Sequence, residues 1–187
     1  MKSTTSIKHR RRREGKTDYK ARYALLKSRK PRLVIRKSSK YIHVQVIEYY
    51  PNGDRVVVFA NSRELLKLGW KCGLGNIPAS YLTGFLAGVR AKGKIEEAVL
   101  DIGMQISTRG SRIYSALKGF IDAGIRVPHS SDIFPPEERI EGRHIAEWSD
   151  KAQKPNFLKY KIDPKDICKN FQQVKNKIIG EHDGKKK

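Results

Sequence analysis

Acidic residues are almost missing from the front of this chain: residues 1–40 contain only Glu14 and Asp18, against 16 lysines and arginines. Cysteine is equally scarce. Cys72 and Cys168 lie far apart in unrelated contexts, so no disulfide framework is expected and a reducing compartment suits the chain. No apolar run approaches the roughly 18 residues a spanning helix needs, so no membrane partner is expected. The first residues carry no apolar signal core, which argues against secretion. Their Arg-rich, acid-poor character is shared with transit peptides, but foldable sequence begins at once at Thr17. There is no internal repeat, no Gly-x-x-x-x-Gly-Lys-Ser/Thr phosphate loop, no Gly-x-Ser-x-Gly turn, no Cys-x-x-Cys pair and no His-Glu-x-x-His helix.

What the chain has is positive charge, unevenly placed. Of the net +21, the first 40 residues and residues 151–187 carry the whole surplus, the latter with 11 Lys/Arg against 4 acids. Residues 41–150 hold 13 of each sign and are neutral. A neutral middle folds without self-repulsion, while the charged ends point to an anionic partner. With 187 residues there is enough chain for one compact domain plus extensions.

Residues 1–16 have only Met1 and Ile7 as apolar side chains, too little to offset the entropy of ordering. They are expected to be disordered until bound and to reach about 50 Å when extended. Thr17 reads as an N-cap for a helix to about Ser28, with Tyr19, Tyr23 and Leu26 on one stripe. Pro31 then starts an antiparallel meander, turned at Ser38-Ser39 and, by a type I′ signal, at Asn52-Gly53. Pairing Lys37 with Lys40 sets Ile35 against Ile42 and Leu33 against Val44 on an apolar face. The other face then pairs Arg36 with Tyr41, Val34 with His43 and Arg32 with Gln45. The third strand, Arg55 to Ala60, is apolar on both faces and predicts cover on each side.

Asn61 or Ser62 caps a short helix from Arg63 to about Leu68. A longer one spans Pro78–Ala91, where Gly84 and Gly88 permit close packing. Ala98–Ile102 predicts a buried strand, Ser111–Ala123 a helix, and Val127 a short strand. Pro135-Pro136 opens an acidic helix to about Trp148. After a Lys-rich linker, Asp163-Pro164 starts a last helix striped by Ile167, Phe171, Val174 and Ile178. The tail at Lys185–Lys187 is expected to fray. The sum is an α/β domain: a small mixed sheet, antiparallel meander plus a parallel strand, covered by helices. Its divisions are a basic arm at 1–16, a core at 17–130 and a helical, Lys-rich extension at 131–187.

The candidate contacts follow from the charge. Lys8, Arg10, Arg11, Arg12, Arg13 and Lys16 read either as a solvated tail or localisation signal, or as a grip on phosphates. The second reading gains weight because Tyr19, Arg22, Arg32, Arg36 and Lys37 continue the charge onto folded sequence. Tyr41 and His43 either stack on unpaired bases or pack across the hairpin. Thr108, Arg109 and Arg112 surround a helix start that suits a phosphate, or Ser111 simply caps that helix. His129 is either a loop hydrogen-bonder or an RNA contact. A metal-dependent nuclease would need paired carboxylates. Asp101, Glu48 and Asp122 are scattered, and Asp101 more often caps or pairs with an arginine. No catalysis, cofactor or metal is expected.

Four stretches carry a resemblance. They are Arg10–Arg22, Pro31–Arg36, Pro78–Gly84 and Ala116–Gly124 followed by Val127-Pro128-His129-Ser130, and together they resemble the L-eighteen family of large-subunit ribosomal proteins, in its archaeal form. The eukaryotic L-five relatives share the first motif but are much longer. The resemblance implies a ribonuclease-H-like core without the nuclease, in a cytoplasmic large subunit. It implies binding to 5S rRNA in the central protuberance, contact with the 23S-type rRNA, and neighbouring ribosomal proteins including the other 5S-associated one, with no homo-oligomer. It lays the RNA role on the arm, Arg22, Arg32, Arg36 and the Thr108–Arg112 loop. A generic RNA-binding or ribosome-assembly factor is the alternative.

Overall fold

The computed structural model describes residues 7–151 and 162–183. Residues 1–6 of the arm, linker residues 152–161 and the tail at Lys185–Lys187 lie outside the described residues. Seven helices are described: α1 (Arg10–Arg13), α2 (Tyr19–Lys27), α3 (Ile77–Ala91), α4 (Arg112–Asp122), α5 (Glu137–Glu141), α6 (Arg143–Lys151) and α7 (Ile167–Asp183). Four strands, β1 (Arg32–Lys37), β2 (Ile42–Glu48), β3 (Arg55–Asn61) and β4 (Val99–Asp101), make one sheet in the order β3-β2-β1-β4. β1 pairs antiparallel with β2 and parallel with β4. This is the small mixed sheet that the sequence predicts.

The alternation of β1 and β2 decides which side chains face the helical layer. Leu33, Ile35, Ile42, Val44 and Val46 are fully buried on one face, which packs toward α3 and α4. The register differs from the expected one: Ile35 faces Val44, Leu33 faces Val46 and Arg36 faces His43. Ser38 explains the shift, because its N–H donates to the Tyr41 carbonyl (2.8 Å) and its hydroxyl accepts from the Tyr41 N–H (2.9 Å). The turn thus centres on Ser39-Lys40. A slip of two residues leaves every side chain on its expected face, since the pleat repeats every two. The second turn also moves. Gly53 N–H donates to the Tyr50 carbonyl (3.0 Å), placing Pro51 second and Gly53 fourth, where a type I turn favours them.

Other expectations need correction. β3 is an edge strand, with Val58 and Ala60 buried but Val56 and Phe59 exposed, so only one of its faces is covered. β4 is also an edge strand; Val99 and Leu100 are half-buried and only Asp101 is buried. Val127 starts no strand; a single parallel bridge joins Glu97 to Arg126. The acidic helix after Pro136 breaks at Gly142, whose left-handed φ of 95° ends α5 before α6 begins. Asp18, not Thr17, caps α2, accepting from the amides of Lys20 (2.9 Å) and Ala21 (3.1 Å). No residue of α2 is buried.

The helical layer is dense. α3 is buried from Ile77 through Gly88, and α4 lies directly against it. A Cβ on Gly84 would fall on the Ala116 carbonyl, and one on Gly119 would fall on the Tyr81 carbonyl. α7 adds Ile167, Phe171, Val174 and Ile178 to the same core, as its stripe predicts. Burial also pushes the Cys72 thiol up to about 12, which leaves it protonated. Gly84→Ala should therefore cost about 3 kcal/mol, as overpacking without room to relax. The check is a lowered urea midpoint; an unchanged midpoint would mean that α3 and α4 are free to separate.

Candidate nucleic-acid interface

The other face of the sheet, on the side of α2, holds an ionic chain built from β1, β4, the β2–β3 connection and α2. β1 presents Arg32 and Arg36 on this face, β4 ends with Asp101, and the β2–β3 connection delivers Asp54. Arg32 donates to Asp101 (2.9 Å) and to Asp54 (2.7 Å). Arg22 from α2 donates to Asp54 (2.9 Å), and Arg36 donates to Asp101 (2.8 Å) and to its backbone carbonyl (2.6 Å). Arg32 is 3% exposed and its Nε has no partner. Burial alone would raise the Asp101 carboxyl, but the hydrogen bonds and charges of Arg36 and Arg32 outweigh it and hold the group below its ordinary value.

Three arginines against two aspartates leave a net positive charge under a cleft of about 630 Å³. Its walls are α2 and the sheet face, and Arg11, Lys16, Arg22 and Arg36 line it alongside the aspartates. The arm enters beside it. The stretch expected to be disordered contains a helical turn, α1, held by local bonds. Arg11 donates to the Thr17 hydroxyl (2.8 Å), Lys16 pairs with Glu14 (2.8 Å), Arg10 approaches Glu14 (3.8 Å), and the His9 ring packs on Tyr19 (5.2 Å). Lys8, Arg12 and Arg13 are exposed and have no side-chain partner among the described residues.

The remaining candidates divide the same way. Tyr41 is half-buried with the Arg63 guanidinium 5.5 Å over its ring, and His43 meets Asn61 (3.3 Å) beside Phe59. The Lys37 backbone is clamped by the Gln105 amide while its side chain has no partner among the described residues. Thr108 and Arg109 are exposed, and Arg109 has no side-chain partner among the described residues. Arg112 points inward, donating to the carbonyls of Gly75 (2.9 Å) and Ser38 (3.2 Å). Ser111 sits at the cap position of α4, yet its hydroxyl makes no cap bond. His129 bonds the Val127 carbonyl (2.6 Å) and packs on Phe134 (4.9 Å). The carboxylates weighed for a nuclease do not converge: Asp101 serves the arginines, and Asp122 serves Tyr81 (2.8 Å) and Lys118 (3.1 Å). Sequence reasoning missed Asp54. Its one signal was an acid directly after a turn, on a hairpin whose neighbour strand carries Arg32.

Known proteins match this chain over most of its length. The family described as "Ribosomal large subunit proteins 60S L5, and 50S L18" matches residues 3–98 and 92–130. A relative from Korarchaeum cryptofilum (strain OPF8), "Large ribosomal subunit protein uL18", is 50% identical over 187 residues, covering 95% of this chain and 96% of its own.

The ion chain makes its own prediction. Asp101→Asn keeps the shape but leaves the buried Arg32 with Asp54 as its one charged partner and Arg36 with none, and should cost roughly 3 kcal/mol at pH 7. A carboxylate held below its ordinary value stabilises the fold above about pH 4 and stops doing so as pH falls through its folded value. The gap between the urea midpoints of the two proteins should therefore narrow as pH falls below about 4; a gap that does not narrow there would exclude the charge interaction as the cause.

Proposed function

Because the chain belongs to the family of large-subunit ribosomal proteins that includes 60S L5 and 50S L18, in its archaeal form, we propose that it binds 5S rRNA and helps attach it to the 23S-type rRNA in the central protuberance. The chain is a structural constituent of the cytoplasmic large subunit and not an enzyme. The observation that carries the RNA reading is the placement of Lys8, Arg12 and Arg13. These exposed cations have no partner among the described residues and stand beside a cleft that is itself positive. Phosphates neutralised by such groups give affinity without sequence choice.

In this reading the arm at 1–16 meets the phosphates first, with Arg10, Arg11 and Lys16 exchanging weak, solvated partners for RNA. Arg22 and Arg36 line the cleft, and Arg32 acts through them, since its outer nitrogens are both engaged by aspartates. Arg109 and Thr108 offer a second exposed contact. The core at 17–130 carries the cleft, and the protein's neighbours in the subunit include other large-subunit proteins, the other 5S-associated protein among them.

Filter binding with 5S rRNA tests this. If the arm and cleft together cover about six phosphates, affinity falls by roughly three decades between 50 and 200 mM salt. Removing residues 1–16 should flatten that dependence. Equal affinity for tRNA and 5S rRNA would favour the generic RNA-binding factor, and an unchanged salt dependence would remove the arm from the interface.

A further inference from the structure

A second hollow, of about 700 Å³, lies on the other side of α2. Consecutive residues of that helix serve the two: Arg22 lines the cleft and Tyr23 lines the hollow. Tyr23, Tyr49 and Tyr50 gather there while remaining 63%, 57% and 45% exposed. Each ring is a large apolar face with one polar end, the shape that interfaces recruit, and here three are gathered at one site. Lys27 sits 4.8 Å over the Tyr23 ring, and Lys30 at the rim is held by Glu97 (2.8 Å).

Arg29 supplies the decisive detail. It follows the Ser28 cap of α2 at φ +55°, the only non-glycine with positive φ among the described residues. Helices ordinarily end there with glycine, which carries no Cβ strain. The chain instead keeps an arginine in a strained conformation at the lip of the hollow, and its side chain has no partner among the described residues. Such strain concentrates where a side chain is used for something other than stability. With Lys30 taken by Glu97, Lys27 and Arg29 face one acid, Glu48, whose side chain among the described residues meets the Tyr50 hydroxyl (3.5 Å). Aromatic faces under surplus positive charge suit a stacked base with its phosphate, and suit a peptide much less well.

We propose that this hollow receives an unstacked nucleotide of the bound RNA, its base against Tyr23 and Tyr49 and its phosphate at Lys27 and Arg29. The proposal rests on the RNA-binding reading above and extends the path of the strand from the cleft, over α2, to the hollow. Stacking on an aromatic face is tolerant of base identity, so the hollow selects an unpaired nucleotide, not a sequence.

The test combines ultraviolet crosslinking of the full chain to 5S rRNA, read by mass spectrometry, with filter binding of variants. The peptide containing Tyr49 and Tyr50 should carry a nucleotide adduct. Tyr23→Leu with Tyr49→Leu should weaken binding about tenfold, while the paired Tyr→Phe variant binds like the unmodified chain. Arg29→Gly should raise the thermal midpoint, by relieving strain, and yet weaken binding about threefold. Unchanged affinity of the leucine variant, with the arm deletion still weakening binding, would overturn the hollow and leave the arm reading intact. An unmodified chain that binds no RNA would overturn both.

Discussion

A guanidinium with 3% of its surface exposed is stable only if its charge is answered, and Arg32 is answered twice, by Asp54 and by Asp101. Through those two carboxylates the β1 strand is tied to β4, to the β2–β3 connection, and, by way of Arg22, to α2. α2 buries none of its own residues fully, so this ionic chain and the local bonds around Asp18 join the half-buried Leu25 and Leu26 in holding it over the sheet. The cleft exists because that standoff exists. Breaking one partner of such a buried set costs more than the set contributes over an apolar core. The arrangement therefore reads as a device for placing α2 and its cations.

The opposite face of the sheet answers a different demand. Close helix contact at Gly84, Gly88 and Gly119 lets α3 and α4 share one dense layer, to which α7 adds its stripe. The division of labour along the chain follows: a neutral middle packs, and the basic surplus stays outside the core. Among the arginines the same division holds within a single strand. Arg32 is consumed by the fold, Arg36 keeps part of its surface at the cleft, and Arg12 and Arg13 of α1 keep theirs in solvent.

The core faces of β1 and β2 and the stripe of α7 were legible because they depend on local periods, whereas the stripe of α2 and the second face of β3 found no full cover. Leu33 and Ile35 alternate, and Ile167, Phe171, Val174 and Ile178 repeat at helical spacing, whatever the rest of the chain does. Register was not legible, because Ser38 bonding to Tyr41 and Pro51 preferring the second turn position each compete with an equally plausible neighbour. Gly142 looked like one residue within an acidic helix, and only its left-handed backbone shows that it divides two. The pairing of Arg32 with Asp101 spans 69 positions, and nothing local marks it. For the site, the arm's charge could be read directly. Which arginines would be consumed internally, and that Tyr23, Tyr49 and Tyr50 would converge, depended on the topology.

The claim beneath all of this is that the exposed cations of the arm hold phosphate while the buried arginines hold the protein. Comparing the salt dependence of 5S rRNA binding for Arg12→Gln with Arg13→Gln against that of Arg32→Gln separates the two roles. The arm variant should lower the slope of log affinity against log salt by about 1.8, near 0.9 per lost phosphate contact, with an unchanged urea midpoint. Arg32→Gln should lower the midpoint and leave the slope of the still-folded protein as it was. A slope that falls for Arg32→Gln and stays fixed for the arm variant would contradict the account.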